Sequence, residues 1–306
     1  MPEVATPTRL EVKNSDYPAL FQAADRASIA AQGKHLLFTS SILLCLVVAA
    51  GLGALSGVIS GAKTSLAVAS TALVSLSFVL TAIRRSLKPE KLWYGGRAIS
   101  ESAKSMAWRY MAGAEPYFIG LQGADVDTKF IADLKALVKD SDQLAVGVSS
   151  EYTDKPQISP RMREVRAMAL DSRRQTYLSQ RIADQRSWYG RKARKSQTAE
   201  SRYFVVILVS QAMALAAGAF MIASPGSRWN LVGVFSALAS ALVAWLQVRQ
   251  HEELAQSYAV AALELGFIEE QGSHLGSDAD FSNFVGDAEN AISREHTLWI
   301  ARRDRS

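Results

Sequence analysis

Residues 36–62 read LLFTSSILLCLVVAAGLGALSGVISGA, and after a single lysine residues 64–83 read TSLAVASTALVSLSFVLTAI. Neither stretch carries an acidic or basic side chain. Each has about 20 residues or more, the length of helix that crosses a bilayer core of roughly 30 Å. The pattern recurs at 203–227 and 229–248, which are separated by a single arginine. Each pair of stretches therefore predicts a transmembrane hairpin that returns the chain to the compartment it left.

The average composition conceals these segments. The chain has 306 residues, of which 49% are hydrophobic, and its mean hydropathy is +0.04. A soluble protein with these values would need four uncharged helices buried in one core. Uncharged stretches of this length are more typical of membrane spans. We therefore predict an all-α integral membrane fold with long amphipathic cytoplasmic helices and spans at about 36–62, 64–83, 203–224 and 229–248.

Basic residues are concentrated at the open ends of the two hairpins, and the net charge is +5. They are Arg84, Arg85, Lys88 and Lys91 after the first hairpin, and Arg191, Lys192, Arg194, Lys195 and Arg202 before the second. The hairpin turns contain only Lys63 and Arg228. This asymmetry is typical of cytoplasmic flanks and exported turns. It predicts a multi-pass protein with both termini in the cytoplasm.

The same basic residues indicate which partners to expect. Anionic lipid headgroups fit basic residues beside membrane spans better than nucleic acid does. The run at 186–202 leaves a second possibility open, because clustered arginines with aromatic neighbours could hold a nucleotide phosphate.

The chain contains the same order of segments twice. Each time a leading helix is followed by a hairpin, a trailing helix and a short helix. The sequence ADR at 24–26 precedes the first hairpin, and the similar ADQR at 183–186 precedes the second. Both units run in the same orientation, unlike the inverted repeats of many transporters. We predict a tail at 1–13, a first two-span unit at 14–139, a linker at 140–160 and a second two-span unit at 161–306.

Small residues form the main packing feature of the spans. The first span carries a ladder at every fourth position, namely Ala49, Gly53, Gly57 and Gly61. Gly218 and Gly233 belong to similar small-residue faces in the third and fourth spans. Such faces let helices approach closely in lipid. Packing within one chain and packing between copies around a pore both stay open, and the second possibility predicts a homo-oligomer.

The spans carry little chemistry beyond this packing. Gln211, midway along the third span, could line a channel or bond to a neighbouring helix. No span contains Asp, Glu, Lys, Arg or His, which pumps and most ion-coupled carriers need. The histidines show no metal-binding spacing, and no catalytic motif is present. We therefore expect no enzyme activity, cofactor or metal.

Two aromatic pairs lie near the predicted membrane boundaries. Trp93 and Tyr94 follow the first hairpin, and Trp188 and Tyr189 precede the second. Tryptophan and tyrosine commonly anchor helices at the lipid interface. Trp188 lies well before the third span, so it could instead pack helix to helix.

The segment before the second hairpin carries a family motif. Its residues are Tyr177, Arg181, Asp184, Gln185, Trp188 and Tyr189. They resemble the leading helix of the SLATT family, whose name stands for SMODS and SLOG-associating two-transmembrane effector. The first half is similar to a sister version of the domain. There Trp93 follows the hairpin, and its helix ends with the residues WRY at 108–110. The resemblance covers nearly the whole chain as a tandem of two SLATT units.

This resemblance implies a bacterial membrane effector of a conflict or antiphage system. Members of the family are proposed to act beside synthetases or sensors of nucleotide second messengers. On activation they are thought to form pores or to damage the inner membrane. We therefore expect the signal to come from a separate nucleotide-synthetase or nucleotide-sensing protein, or from a diffusible ligand. Two other classes stay open, a constitutive channel or small-solute transporter and a structural membrane protein.

Overall fold

The computed structural model describes residues 11–121, 123–139, 152, 154–273 and 275–303, with side chains described as far as residue 293. Most of the predicted tail at 1–13 and of the predicted linker at 140–160 lies outside the described residues. The regular structure of the described residues is helical throughout, which confirms the all-α prediction.

The described chain forms ten α-helices. They are α1 (Ala19–Val58), α2 (Lys63–Leu87), α3 (Pro89–Ala112), α4 (Gly123–Lys139), α5 (Pro160–Arg166), α6 (Leu170–Tyr177), α7 (Ala183–Ala223), α8 (Val232–Arg249), α9 (His251–Gly272) and α10 (Asp278–Arg303). A π-helical turn, Leu178–Ile182, joins α6 to α7. Four helical stretches are long and apolar enough to cross a membrane, and each contains most of one predicted span. The first stretch ends at Val58, before the predicted end at 62, and the fourth begins at Val232, after the predicted start at 229.

Each hairpin begins with one uninterrupted helix. Helix α1 has 40 residues and α7 has 41, so each leading helix continues into its span without a break. The segment between Pro160 and the second hairpin is not one continuous helix. Ala169 has an extended backbone that separates α5 from α6. The Arg173 guanidinium donates a 3.1 Å hydrogen bond to the Met168 carbonyl oxygen beside the break. This backbone oxygen therefore has a partner although the helix is interrupted.

Each hairpin ends at a left-handed residue. Lys88 has φ of 43° and Gln250 has φ of 48°, and neither is glycine. Their backbone N–H groups bond the Arg84 and Leu246 carbonyls, and a new helix begins at the next residue. A non-glycine residue in this conformation costs roughly 1 kcal/mol or more. In both repeats, a residue with a strained left-handed backbone therefore separates the span from the trailing helix.

Residues 32–90 and 192–256 form one compact unit, which we call the membrane unit. Its inner faces carry small and polar contacts, such as the 2.8 Å bond from Ser70 Oγ to the Ala49 carbonyl. Its outer faces are apolar, with Phe78 75% exposed and Leu215 77% exposed. This inverted arrangement suits a surface that meets lipid tails, which do not penalise exposed apolar groups.

Residues 1–31, 91–191 and 257–306 form a second compact unit, called the core unit below. Its buried aromatic residues come from segments that precede, separate and follow the hairpins, as shown by Tyr17, Trp108, Tyr177 and Phe281. Residues that pack in one core must share a compartment. Each hairpin therefore crosses the membrane an even number of times, as its length already predicted.

Candidate functional site

The π-helical turn positions a basic side chain inside the core unit. Arg173, Tyr177 and Arg181 are 3%, 1% and 1% exposed. Arg173 and Tyr177 lie in α6, and the turn at Leu178–Ile182 contains Arg181. Single π-helical turns inside α-helices are rare and occur often at functional sites. Here the turn places the Arg181 guanidinium in a buried polar cluster.

Arg181 forms a buried ion pair with Glu289 of α10. Arg181 Nε donates to Glu289 Oε1 at 2.9 Å, and Nη2 donates to Oε2 at 2.7 Å. Glu289 is completely buried. Tyr177 Oη donates to Oε1 at 2.9 Å, and Ser105 Oγ of α3 donates to Oε2 at 2.6 Å. Four donors from three segments therefore satisfy one carboxylate, which is the condition under which a buried charge pair is tolerated.

The electrostatics of this cluster favour the charged pair. Burial would lower the pKa of Arg181, but the charge and hydrogen bonds of Glu289 outweigh burial and raise it. Burial raises the pKa of Tyr177, and the Glu289 carboxylate raises it further. Burial lowers the pKa of Lys104, and the nearby Arg181 adds to that shift. The cluster thus has a fixed ion pair and a neutral tyrosine, as a structural support requires.

A second contact links the two tyrosines that open the leading helices. Trp108 Nε1 donates to Tyr17 Oη at 2.9 Å, and the Trp108 ring lies 5.8 Å from that of Tyr177. Lys104 Nζ lies 5.4 Å from the centre of the Tyr17 ring. Tyr17 and Tyr177 therefore meet the same tryptophan. The equivalent ends of the two repeats are joined through α3.

The remaining motif residues lie farther along α7. Gln185 is buried, and Asp184 is exposed. The Trp188 and Tyr189 rings lie 5.4 Å and 5.5 Å from that of Tyr258 on α9. This aromatic trio packs the leading helix of the second repeat against its trailing helix. Trp188 therefore makes a helix-to-helix contact.

The first aromatic pair has a similar position in the first repeat. Trp93 is 8% exposed, and its ring lies 4.6 Å from that of Tyr94. The Trp93 carbonyl accepts a 2.9 Å bond from Ser28 Oγ of α1. Three residues later, an added Cβ at Gly96 would lie 3.0 Å from the Ala24 carbonyl oxygen. Helices α1 and α3 therefore cross closely here, and the interface-anchor role of the pair stays a prediction.

The four residues of the small-residue ladder in the first span differ in exposure. Ala49 is buried and accepts the bond from Ser70. Gly53, Gly57 and Gly61 are exposed, and a Cβ added at Gly57 would come no closer than 3.6 Å, to the Arg228 carbonyl oxygen. A Cβ added at Gly61 would meet nothing within 4 Å. A Cβ added at Gly53 would lie 3.9 Å from Ser70 Oγ. The chain itself therefore covers Ala49, approaches Gly53 and Gly57 to ordinary contact distance, and leaves open space only at Gly61.

The other candidate residues of the spans, Gly218, Gly233 and Gln211, also differ in how closely the chain approaches them. A Cβ added at Gly218 would lie 3.9 Å from the Val232 side chain, whereas one added at Gly233 would meet nothing within 4 Å. Gln211 is exposed on α7, while its neighbour Ser210 is 4% exposed and bonds the Val206 carbonyl.

Two family models match the chain. SMODS and SLOG-associating 2TM effector domain 3 matches residues 18–174, just over half of the chain, and domain 1 of the same series matches 177–299. The chain belongs to the SLATT family. The predicted tandem of two SLATT units is thereby confirmed. No curated protein and no solved structure matches the chain.

The two SLATT domains share the buried cluster. Ser105 and Trp108 belong to the first matched region, whereas Tyr177, Arg181 and Glu289 belong to the second. The second match begins at Tyr177, directly before the π-helical turn. The cluster is therefore the place where one SLATT domain is held against the other inside the core unit.

Glu289 was missed by the sequence analysis, although a signal for it exists. The buried stripe of α10 contains Phe281, Val285, Ala288 and Ile292, and Glu289 falls on the same side. A carboxylate on an apolar stripe needs a buried cation or several donors. The sequence alone does not show that the partner lies in the motif around Arg181.

Within the described part of this SLATT chain, no group of three His, Cys, Asp or Glu side chains lies close enough to hold a metal ion. Both oxygens of the buried Glu289 carboxylate accept hydrogen bonds from the cluster, whereas the buried Arg181 Nη1 has no hydrogen-bond partner among the described residues. The arrangement is suited to holding helices together.

Proposed function

We propose that this tandem SLATT protein is a membrane effector of a bacterial antiphage system. On a nucleotide-linked signal, it assembles into homo-oligomers and opens a pore or disrupts the inner membrane. The observation that carries the proposal is the pairing of two apolar hairpins with one core to which both SLATT domains contribute. A change in that core reaches both hairpins at once.

Continuous helices support a mechanical link between signal and span. Helices α1 and α7 each begin among core-unit residues and continue to the far end of a span without a break. A rigid helix transmits displacement along its axis, whereas the left-handed residues Lys88 and Gln250 let the trailing helices turn separately. We infer that the core receives the signal from a separate nucleotide-synthetase or nucleotide-sensing protein.

The exposed glycines support assembly between copies. Gly53 and Gly57 lie on one face of α1, whereas Gly61 lies beyond its end in the 3-10 turn Ser60–Ala62, and all three are exposed. Close helix approach on such faces is a main source of association in lipid. Gln211 is an exposed amide in a span and gains a hydrogen-bond partner when another copy packs on it.

The charge pattern supports a pore or lesion over coupled transport. The four spans carry no Asp, Glu, Lys, Arg or His, so they lack the groups that relay protons or bind coupling ions. The basic residues beside the spans supply contacts to anionic headgroups, which orient the protein in the inner membrane with both termini cytoplasmic.

Substituting Gly57 with leucine tests this proposal. A Cβ at Gly57 makes only an ordinary contact, 3.6 Å from the Arg228 carbonyl oxygen, so the variant is expected to fold and insert while blocking contact between copies. Gly51→Leu is the control, because a Cβ there meets nothing within 4 Å and points to another side of the helix. Each variant is expressed with the neighbouring genes of its own locus, and membrane potential is followed with a dye during phage infection.

We expect wild type and Gly51→Leu to lose membrane potential and Gly57→Leu to retain it. Chemical cross-linking in the same cells should show oligomers for the first two proteins only. Wild-type protein that reaches the membrane, leaves the potential intact and gives steady solute flux would instead favour a channel or transporter.

A further inference from the structure

Helix α9 presents an unpartnered apolar face outside the predicted spans. Val260, Leu263 and Phe267 are 55%, 66% and 66% exposed. Their spacing places them on one side of the helix. Ala261 and Leu265 on the opposite side are buried in the core unit. One side of α9 is therefore buried in the core unit, and its outer side is also apolar but exposed.

The first repeat shows what such a face does. Counted from the left-handed residues Lys88 and Gln250, Val260, Leu263 and Phe267 occupy the positions of Ala98, Glu101 and Ser105 in α3. The buried residues correspond too, because Ala261 and Leu265 occupy the positions of Ile99 and Ala103. The two trailing helices thus use the same side to pack against their own repeats.

The outer side of α3 is covered by the other repeat. Ser105 is 6% exposed and donates its 2.6 Å bond to Glu289 of α10. The outer side of α3 is therefore where the first SLATT domain receives the second. The matching side of α9 has no such neighbour among the described residues. A further SLATT repeat, carried by another copy of the chain, is the equivalent partner.

Charge indicates which part of that copy fits. Between His251 and Gly272, the α9 sequence contains five glutamates and no lysine or arginine. Glu269 is paired with Arg186 of α7 at 2.9 Å, and the other glutamates disfavour contact with anionic headgroups and with a second α9. The partner surface should be apolar with basic flanks.

Helix α1 carries such a surface. Ile29 is 58% exposed, and Ala30 and Gly33 are exposed on the same side. Arg26 and Lys34 flank them at helical spacing and are also exposed. Because the α1 face and the α9 face are each exposed in the single chain, they do not pack on each other within it.

We propose that the Val260–Leu263–Phe267 face of one copy packs on the Ile29 face of α1 in the next copy. This inference rests on the self-assembly included in the proposed function and names its interface. The two faces differ, so the contact is head-to-tail, and each copy offers both halves of it. Repetition of such a contact generates a ring when the rotation closes.

Cysteine cross-linking in membranes tests the contact. In a Cys45→Ser background, the pair Ile29→Cys with Leu263→Cys should form a ladder of dimers and higher covalent oligomers on mild oxidation. Each single variant should stay monomeric. The control pair combines Ile29→Cys with Asp287→Cys, which replaces an exposed residue of α10, and should give no ladder.

A ladder for the Ile29 and Leu263 pair alone supports the contact. Dimers from Leu263→Cys by itself would show α9 pairing with α9 and would overturn the proposal. The absence of any ladder at membrane densities that depolarise cells would overturn it too, leaving another protein or the lipid surface as the occupant of the α9 face.

A second variant separates the interface from the activity. Adding Leu263→Glu to a pair of Ile29→Cys and Phe267→Cys should reduce the ladder at least about tenfold, while the exposed position leaves the fold intact. Depolarisation without the ladder contradicts this interface and leaves the effector function standing. A ladder without depolarisation contradicts the effector function and leaves the interface standing.

Discussion

Replacing Glu289 with alanine is expected to lower the free energy of unfolding of the core unit by about 3–5 kcal/mol. The substitution leaves the Arg181 guanidinium buried without its counter-charge. It also removes the acceptor for the Tyr177 and Ser105 hydroxyls. The loss should appear as a large fall in the unfolding midpoint of the detergent-solubilised protein. The protease sensitivity of the core unit measures this unfolding.

Two matched variants assign that loss to the buried charge. Asp287→Ala removes an exposed carboxylate from the same helix and should change the stability by less than about 0.5 kcal/mol. The double variant Arg181→Met with Glu289→Leu should recover part of the loss, because both buried charges are gone while two hydroxyls stay unpaired. A Glu289→Ala protein as stable as Asp287→Ala would show that the cluster does not hold the repeats together.

Replacing Gly96 with leucine is expected to cost about 3 kcal/mol or more by forcing α3 away from α1. A Cβ at this position would lie 3.0 Å from the Ala24 carbonyl oxygen and 3.3 Å from Ser28 Cα, both of them backbone atoms that cannot turn aside. The separation would also stretch the bond from Ser28 Oγ to the Trp93 carbonyl. Thermal unfolding in detergent and trypsin resistance of α3 measure the effect.

Gly190→Leu is the control for helix propensity. A Cβ at Gly190 of α7 would meet nothing within 4 Å, so this variant should be neutral or more stable by up to about 1 kcal/mol. Equal stability of the Gly96 and Gly190 variants would mean that α1 and α3 do not cross closely at Gly96.

The hairpins could be predicted from the sequence because their signal is local. Uncharged length and the basic flanks specify a span without reference to any other part of the chain. The family motif was visible for the same reason, since its residues follow one another along a single helix. Trp188 shows the limit of local reading, because its helix-to-helix contact depends on Tyr258 far along the chain.

The buried cluster could not be predicted, because it depends on tertiary pairing. Arg181 reads as one more basic residue before a span, and Glu289 reads as one of several acids in α10. Only the packing of α3 and α10 around the π-helical turn removes both from water. The sequence analysis also did not place the break at Ala169, where the part-buried Met168 carbonyl accepts a hydrogen bond from Arg173.

The comparison of the repeats adds a feature that neither repeat shows alone. Counted from Lys88 and Gln250, α3 and α9 are both buried at two equivalent positions, Ile99 with Ala261 and Ala103 with Leu265, yet Ser105 is covered and Phe267 is exposed. A duplication that fuses two domains in one chain satisfies one such interface internally. The other interface is left for a partner, which connects the tandem arrangement to assembly.

The arrangement of the hairpins is tested most directly by cysteine labelling from the two sides of the membrane. In the Cys45→Ser background, single cysteines at Lys63 and Arg228 occupy the two turns, and cysteines at Asp154 and Asp287 occupy exposed sites of the core unit. A membrane-impermeant maleimide applied to spheroplasts should label both turn positions at once. It should label both core positions only after the membrane is opened. Labelling of one turn without the other, or of either core site in sealed spheroplasts, would contradict two parallel hairpins that share one cytoplasmic core.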